Sequence, residues 1–591
     1  MSEKLLKGGE YLIKKTDADD VFTPEDFNDE QKQIAETTDQ FVMNEIVPHI
    51  EEIDHQNFDI VIEGMKKCGE LGLLMIDAPE EYGGLELDKA TSMLVAEKLA
   101  PGGSFLVAYA AHTGIGMLPL IYYGTKEQKE KYLEKLMTGE MLAAYCLTEP
   151  GSGSDALGAK ASAVLSDDGK YYLLNGTKQW ITNAGFADLF TVFAKVDKEH
   201  FTAFLVERDF EGISFGAEEK KMGIKGSSTR QVNFDNAKVP VENVLGEIGK
   251  GHKIAFNVLN VGRFKLAAAT TGACKDALGE AVRYANERKQ FGTEISNFGA
   301  IKEKLARMTA ETFASESLVY RLAGLLDGKI DRIDKGIENY YEEYQKAIEE
   351  YAVECGISKV FCSEVLAYVV DETVQIFGGY GYSQEYPAER FYRDERINRI
   401  FEGTNEINRL LTPGILLKKT MKGELPLQKE AMKAMESLMT PSFDEPEEGL
   451  FAKELKILED LKTVFLVTAG AAVQKHMEKM KDEQEILMAL ADVAIGIFAI
   501  ESTVLRALKI YDKSNEKKKK LLEAAVNVFL FHEVEDITRA AKKAAYFVEE
   551  GDNLTMLLSG IRRFTKYDAA GLLENQRLLA DAVIDAEKYI F

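Results

Sequence analysis

The 591-residue chain predicts a multidomain α+β protein, mainly α. The expected order is an N-terminal helical domain, a middle antiparallel β domain, a helical bundle and an extra C-terminal helical domain. Two observations carry this. Apolar residues recur at the helical period through most of the chain, but the stretch from Met141 to about Val244 breaks into short runs of Tyr, Val, Phe and Thr. Those runs are separated by Asp167-Asp168-Gly169, Asn175-Gly176, Asp209-Phe-Glu-Gly212 and Asp235-Asn236, and Asn-Gly or Asp-Gly between apolar runs signals a hairpin. At roughly 100–200 residues per domain, the length admits three to five domains.

Residues 1–30 read as an N-terminal tail and 31–145 as the first helical domain. In the latter, Gln31 to Ile53 alternates polar and apolar faces, and Thr125-Lys-Glu-Gln opens a charged-surface helix. The small residues of Ala110-Ala-His-Thr-Gly-Ile-Gly116 mark close approach of another backbone or a ligand. Residues 146–253 form the β domain, since several strands follow without intervening helices. Helix returns over 254–412, interrupted by a loop at Gly378-Gly379-Tyr380-Gly381. Four of the twelve prolines fall between Pro413 and Pro446, so 413–450 reads as a linker. Residues 451–591 are helical in pattern. Their most apolar run, Ile486 to Ile500, is broken by Asp492 and falls short of the ~18–20 residues of a spanning helix, which predicts a buried helix instead.

Composition excludes several function classes. The 98 acidic against 72 basic residues give a net charge of −26, a field that repels polyphosphate, so no nucleic-acid partner is expected. Five cysteines without C-x-x-C spacing read as buried apolar residues in a reducing compartment. The histidines form no H-x-x-x-H pattern, and no metal is expected. The basic start lacks an apolar leader core, which points to a cytoplasmic, bacterial-type chain. Gly246-Glu-Ile-Gly-Lys-Gly251-His252 misses the P-loop lysine and reads as a turn into the next helix.

Three segments carry chemical signal. Tyr145-Cys-Leu147-Thr148-Glu-Pro-Gly151-Ser-Gly153-Ser154-Asp155 is a loop whose N–H groups suit carbonyl or phosphate oxygens, although alone it is an ordinary Gly/Ser loop. Lys178-Gln-Trp180-Ile-Thr182-Asn183 holds the only tryptophan, fit for plain core or for lying against a planar heterocycle. In Arg399-Ile-Phe401-Glu402-Gly403-Thr404-Asn405, Glu402 is either a solvated helix-end residue or a carboxylate whose apolar neighbours raise its pKa, as a carbon-acid base requires.

These segments, together with Glu287-Arg288-Lys-Gln290-Phe291-Gly292 and Gln375-Ile-Phe-Gly378-Gly379, resemble the motifs of the acyl-CoA dehydrogenase family in order and spacing. The resemblance covers about residues 30–415, and the helical extension looks like the very-long-chain branch. It implies an FAD enzyme that dehydrogenates an acyl-CoA substrate to the trans-2-enoyl-CoA in fatty acid β-oxidation, with Glu402 as base. By the same resemblance, Tyr145, Leu147, Thr148, Gly153, Trp180, Thr182, Arg288, Gln290, Phe291, Gln375, Gly378, Gly379, Thr404 and Glu406 bind FAD. Ser154, Asn260, Arg263 and Gly403 contact acyl-CoA or position the base. A minority branch carries its base where this chain has Gly262, and a glycine excludes that arrangement.

By the same resemblance, Val107 and Ala111 lie where shorter-chain members carry larger polar side chains that close the acyl tunnel. Small residues there imply a deep pocket for a long acyl chain, with helix packing as the plain alternative. The resemblance further implies an electron-transfer flavoprotein as acceptor and a homodimer, since Gln375 to Gly379 would reach the neighbouring subunit's FAD. Its rivals are an acyl-CoA oxidase and a flavoprotein assembly factor. Met432, Met435, Leu438 and Met439 share one helical face. Resemblance to the extended branch implies a peripheral membrane contact there, and packing on the next domain is the plain alternative. Lys517 to Lys520 reads as a solvated helix start.

Overall fold

The computed structural model describes residues 5–439 and 449–591. The first helical domain comprises α1 (Asp29–Phe41), α2 (Ile50–Asp54), α3 (Phe58–Glu70), α4 (Lys89–Lys98), α5 (Ser104–Ala110), α6 (Leu118–Tyr123) and α7 (Lys126–Thr138). Reciprocal capping boxes start α1 (Asn28 with Gln31) and α7 (Thr125 with Gln128), satisfying N–H groups that the helix itself leaves open. Between α5 and α6, Ala111–Gly116 widens into a π turn. A Cβ on Gly116 would lie 2.8 Å from the Cβ of Ala143, so the small residues do let this turn rest on the first strand.

The strands are β1 (Ala143–Cys146), β2 (Ser162–Leu165), β3 (Tyr171–Thr182), β4 (Leu189–Val196), β5 (His200–Glu207), β6 (Ile213–Phe215), β7 (Thr229–Pro240) and β8 (Val244–Leu245). They lie in the order β6-β7-β3-β2-β4-β5-β8, with β1 beside β4. The sheet is antiparallel except where β1 and β2 each join β4 in parallel. These two strands reach the sheet from the helical domain and the Gly/Ser loop rather than through a hairpin. The β3–β7 register shifts between Lys178 and Ile181, and that irregularity sets the direction of Trp180.

The second helical region contains α8 (Gly251–Glu287), the hairpin β9 (Lys289–Gln290) and β10 (Thr293–Glu294), α9 (Gly299–Ile330), α10 (Tyr340–Glu350), α11 (Ala352–Phe377), α12 (Pro387–Glu395) and α13 (Asn405–Met421). Beyond it lie α14 (Leu427–Met439), α15 (Ala452–His476), α16 (Gln484–Tyr511), α17 (Glu516–Val548), α18 (Gly551–Phe564) and α19 (Leu572–Ala586). The apolar α16 is buried against α9, α15 and α17, as expected, although the whole helix, unlike the run from Ile486 to Ile500 alone, is long and apolar enough to cross a membrane. Asp492 pairs with Arg409 at 2.6 Å. All five cysteines are buried and free.

Two expectations change, and a third, left open between two alternatives, is narrowed. The proposed linker is largely helix: α13 runs through Pro413, held by the Thr404 cap and by packing on α11 and α16, and α14 follows. Residues 440–448 of that segment lie outside the described residues. The N-terminal tail is a packed strap, with Tyr11, Leu12 and Val21 buried and the Tyr11 hydroxyl donating to Ala494 C=O at 3.0 Å. Too few apolar residues stand in it to make a period. On the methionine-rich face, Met435 and Leu438 pack on the main core while Met432 stands exposed; the side chain of Met439 is outside the described residues.

Buried ion pairs join these parts. Glu316 of α9 accepts from Lys275 (2.5 Å), Arg506 (2.6 Å) and the Tyr589 hydroxyl (2.8 Å). Arg506 also meets Glu25 of the strap at 2.9 Å, and Lys275 meets Glu97 of α4 at 2.6 Å. Close by, Glu501 of α16 takes Arg321 at 2.6 Å and Lys462 at 2.8 Å. Strap, first domain, bundle and extension are thereby bound into one charge-balanced interior.

Candidate active site

Glu402 stands in the turn between α12 and α13. Glu402 (φ 57°) and Gly403 (φ 77°) both take the left-handed backbone, which is strained for a glutamate and persists only when its surroundings over-determine it. They do. Arg263 Nε donates to Glu402 C=O at 3.4 Å, Lys359 Nζ donates to Gly403 C=O at 2.9 Å, and Asn408 Nδ2 donates to both carbonyls at 3.3 and 2.8 Å. Thr404 accepts the Ile407 N–H at 3.2 Å and so starts α13. Arg263 is further fixed by donating to Asn260 Oδ1 at 2.8 Å.

The Glu402 carboxylate has no such support. Its Oε2 is sealed from solvent and has no hydrogen-bond partner. Across from it is Gly262 of α8, where a Cβ would lie 2.6 Å from that oxygen, so the glycine leaves the carboxylate its present position and a larger residue would make it shift. Desolvation pushes the Glu402 carboxyl up to about 7 against the opposing pull of Arg263 and Lys359. Desolvation likewise lowers the Lys359 ammonium to about 7.

The β domain presents a second group of side chains. Tyr145 at the end of β1 lies close enough for the Glu402 charge to act on its phenol, whose hydroxyl is buried without a partner. Trp180 has φ 61° and its residue is 57% exposed, a large apolar ring turned outward by the β3 irregularity. Thr182 closes β3 opposite Thr229. The loop before it is pinned by a buried pair: Lys178 Nζ donates to Glu149 at 2.7 Å and to Leu147 C=O at 3.1 Å, while the Gln179 N–H donates to Thr148 C=O at 2.8 Å. Gly153 and Ser154 lie exposed beyond the Glu149–Ser152 bridge.

A third group forms a separate pocket of about 650 Å³ lined by Arg288, Gln290, Gly378 and Gly379 among others. Arg288 lies over the Tyr380 ring at 5.3 Å, and Tyr284 stacks on Phe377 at 4.0 Å. Phe291, at the β9–β10 turn, has φ 55° and is 96% exposed. Gln375 is exposed on the last turn of α11, and Glu406 is exposed in the first turn of α13. The structure thus gathers Tyr145, Asn260, Arg263, Gly403 and Thr404 around Glu402. Arg288, Gln290, Gly378 and Gly379 meet one another instead, in a pocket that shares no lining residue with the apolar chamber beside Phe401. Sequence reasoning missed Lys359, Asn408 and the Glu149–Lys178 pair. A lysine isolated in the apolar run of α11 was the available signal for the first.

Residues 28–140, 144–237 and 249–412 match the N-terminal, middle and C-terminal domains of acyl-CoA dehydrogenases, and 460–563 match a further C-terminal domain of that name. A probable acyl-CoA dehydrogenase of Bacillus subtilis is 49% identical over 583 residues, covering 99% of this chain and 98% of its own length. The chain belongs to the acyl-CoA dehydrogenase family. Within that family, the human very long-chain specific mitochondrial acyl-CoA dehydrogenase is 39% identical over 529 residues, 83% of this chain and 76% of its own. An acyl-CoA dehydrogenase from Bacillus anthracis, solved in complex with FAD, superposes with a TM-score of 0.97 at 49% identity, over 99% of this chain and 100% of the other.

Proposed function

We propose that the protein is an FAD-dependent acyl-CoA dehydrogenase that acts on long-chain acyl-CoA in fatty acid β-oxidation, with Glu402 as the base. The observation that carries this is the Glu402 carboxylate: its Oε2 is sealed from solvent without a hydrogen-bond partner, and desolvation raises the group to about 7. Such a group is ionised enough near neutral pH to act and basic enough to take a weakly acidic Cα proton. FAD, when bound, supplies the hydride acceptor for the Cβ hydrogen. The residues fit it: an outward Trp180 ring, a partnerless Tyr145 hydroxyl, and Arg288 with the Gly378-Gly379 backbone for its anionic part.

The strained turn holds the carboxylate at the proton and leaves the Glu402 N–H without a backbone acceptor among the described residues, available to a thioester oxygen as negative charge develops there. The chamber lined by Leu106, Val107, Ala269, Ala273 and Phe401 offers an apolar path for the acyl chain. Val107 lines it, whereas Ala111 is buried outside that lining. The separate Arg288 pocket supports a homodimer in which each FAD spans two subunits, and an electron-transfer flavoprotein would take the electrons onward. The bacterial relatives support a cytoplasmic setting.

Anaerobic titration of the FAD-loaded protein with saturated acyl-CoAs of graded length tests the whole reading. Flavin absorbance should bleach, most completely with chains of about 16–18 carbons or longer; no bleaching at any length would refute it.

A further inference from the structure

The apolar chamber is not lined by apolar groups alone. Its lining also includes Asp276 of α8 and Arg390 of α12. Among the described residues, neither side chain has a hydrogen bond or an ion pair within 4 Å, although the charge of Arg390 acts on Asp276. Asp394 also lines the chamber, but one of its oxygens is held by the Ile224 N–H. Gly103 (φ 54°) leaves room there: a Cβ on it would lie 3.4 Å from Arg390 Nη1. A purely hydrocarbon chain end would leave a guanidinium donor and a carboxylate acceptor unpaired, and that is costly in a partly buried site.

We propose that Asp276 and Arg390 form a polar subsite at the distal end of the acyl chamber that takes a hydroxyl borne near the far end of a long acyl chain. This deepens the function proposed above and rests on it. A hydroxyl both donates and accepts, so it can donate to the carboxylate and accept from the guanidinium at once. A terminal carboxylate would meet Arg390 but would also face Asp276 and Asp394. Burial pushes the Asp276 carboxyl up to about 6, which leaves it an acceptor at neutral pH.

Helix α8 supplies a ruler. Gly262, beside the base, and Asp276 are fourteen residues apart and share a stripe with Ala269 and Ala273. At 1.5 Å per residue their separation along the axis is ~21 Å. An extended chain covers ~3.6 Å per three bonds, so ~17 bonds bridge that distance. The distal group of an acyl chain of about 18–20 carbons therefore arrives at Asp276 when its Cα is at Glu402.

The test compares kcat/KM for octadecanoyl-CoA, 18-hydroxyoctadecanoyl-CoA and the mono-CoA ester of octadecanedioic acid. It uses the FAD-loaded protein, Asp276→Leu, Arg390→Met and the near-isosteric Asp276→Asn, with flavin content as the check on folding. The hydroxyl-to-methyl ratio should fall roughly 10-fold or more in Asp276→Leu and Arg390→Met, and less in Asp276→Asn, which keeps an acceptor oxygen. A ratio that is the same in all four proteins overturns the proposal, and so does faster turnover of the dioic ester than of the hydroxy ester in the unsubstituted protein. Turnover of octadecanoyl-CoA itself separates this failure from that of the function: if it proceeds while the ratio never changes, only the subsite falls.

Discussion

Glu402 and Glu316 are the same side chain in interiors a few helices apart, and they do opposite things. Glu316 is met by a lysine, an arginine and a tyrosine hydroxyl, and those cations hold its carboxyl well below the usual carboxylate range despite burial. Glu402 has its Oε2 sealed from solvent with cations only at a distance, and desolvation wins. Partners, rather than depth, decide whether a buried carboxylate ties a fold together or stays reactive. The backbone agrees: Glu316 lies inside a regular helix, whereas Glu402 is held in a left-handed turn.

Glu402→Gln should produce the largest effect. Loss of the proposed base should lower the rate of flavin reduction by ~10²–10⁴-fold, read by stopped-flow absorbance, with FAD retained. Its stability should move the other way. A raised carboxyl binds its proton more tightly in the folded protein, so its ionisation weakens folding progressively as pH rises from the ordinary 4.5 to about 7. The variant is free of this and should melt above the unsubstituted protein at pH 7.5, with the gap closing toward pH 4.5. A uniformly lower melting temperature would erase the contrast with Glu316.

Arg506→Met comes next. It leaves Glu316 and Glu25 without their shared cation and should cost ~3–5 kcal/mol in denaturant melts while the folded fraction keeps its turnover. Glu316, with its lowered carboxyl, contributes stability that is present above its unfolded pKa and lost as pH falls below it, the reverse of Glu402. The smallest effect sharpens the comparison: Lys359→Met removes a cation that pulls the base downward, and the midpoint of the pH–rate profile should rise by up to about one unit.

How legible each region was follows from its chemistry. Phe401-Glu402-Gly403 lies in one short motif, and the β segment announced itself through turn residues such as Asn175-Gly176, because turns and motifs are local. Gly262 was recognised only as not being a base; that it makes room for Glu402 requires two segments 140 residues apart to face each other. The Glu316 network left no sequence trace, since its members come from α4, α8, α9, α16 and both ends of the chain. Pro413 was misleading for the converse reason: tertiary packing of α13 overrides the local cost of a proline.

The bond from Tyr589 to Glu316 has a consequence for how the protein is made. The two residues are 273 positions apart, and a ribosome adding ~5–20 residues each second needs roughly a quarter to one minute to cover that distance. Arg506 emerges 190 positions after Glu316 and Tyr589 later still, so the emerging bundle holds an acidic side chain with an incomplete set of partners through that interval. The Glu316 site is therefore completed only after Tyr589 has emerged, and a product stalled or clipped before it would expose the unfinished interior to the cell's chaperones and proteases.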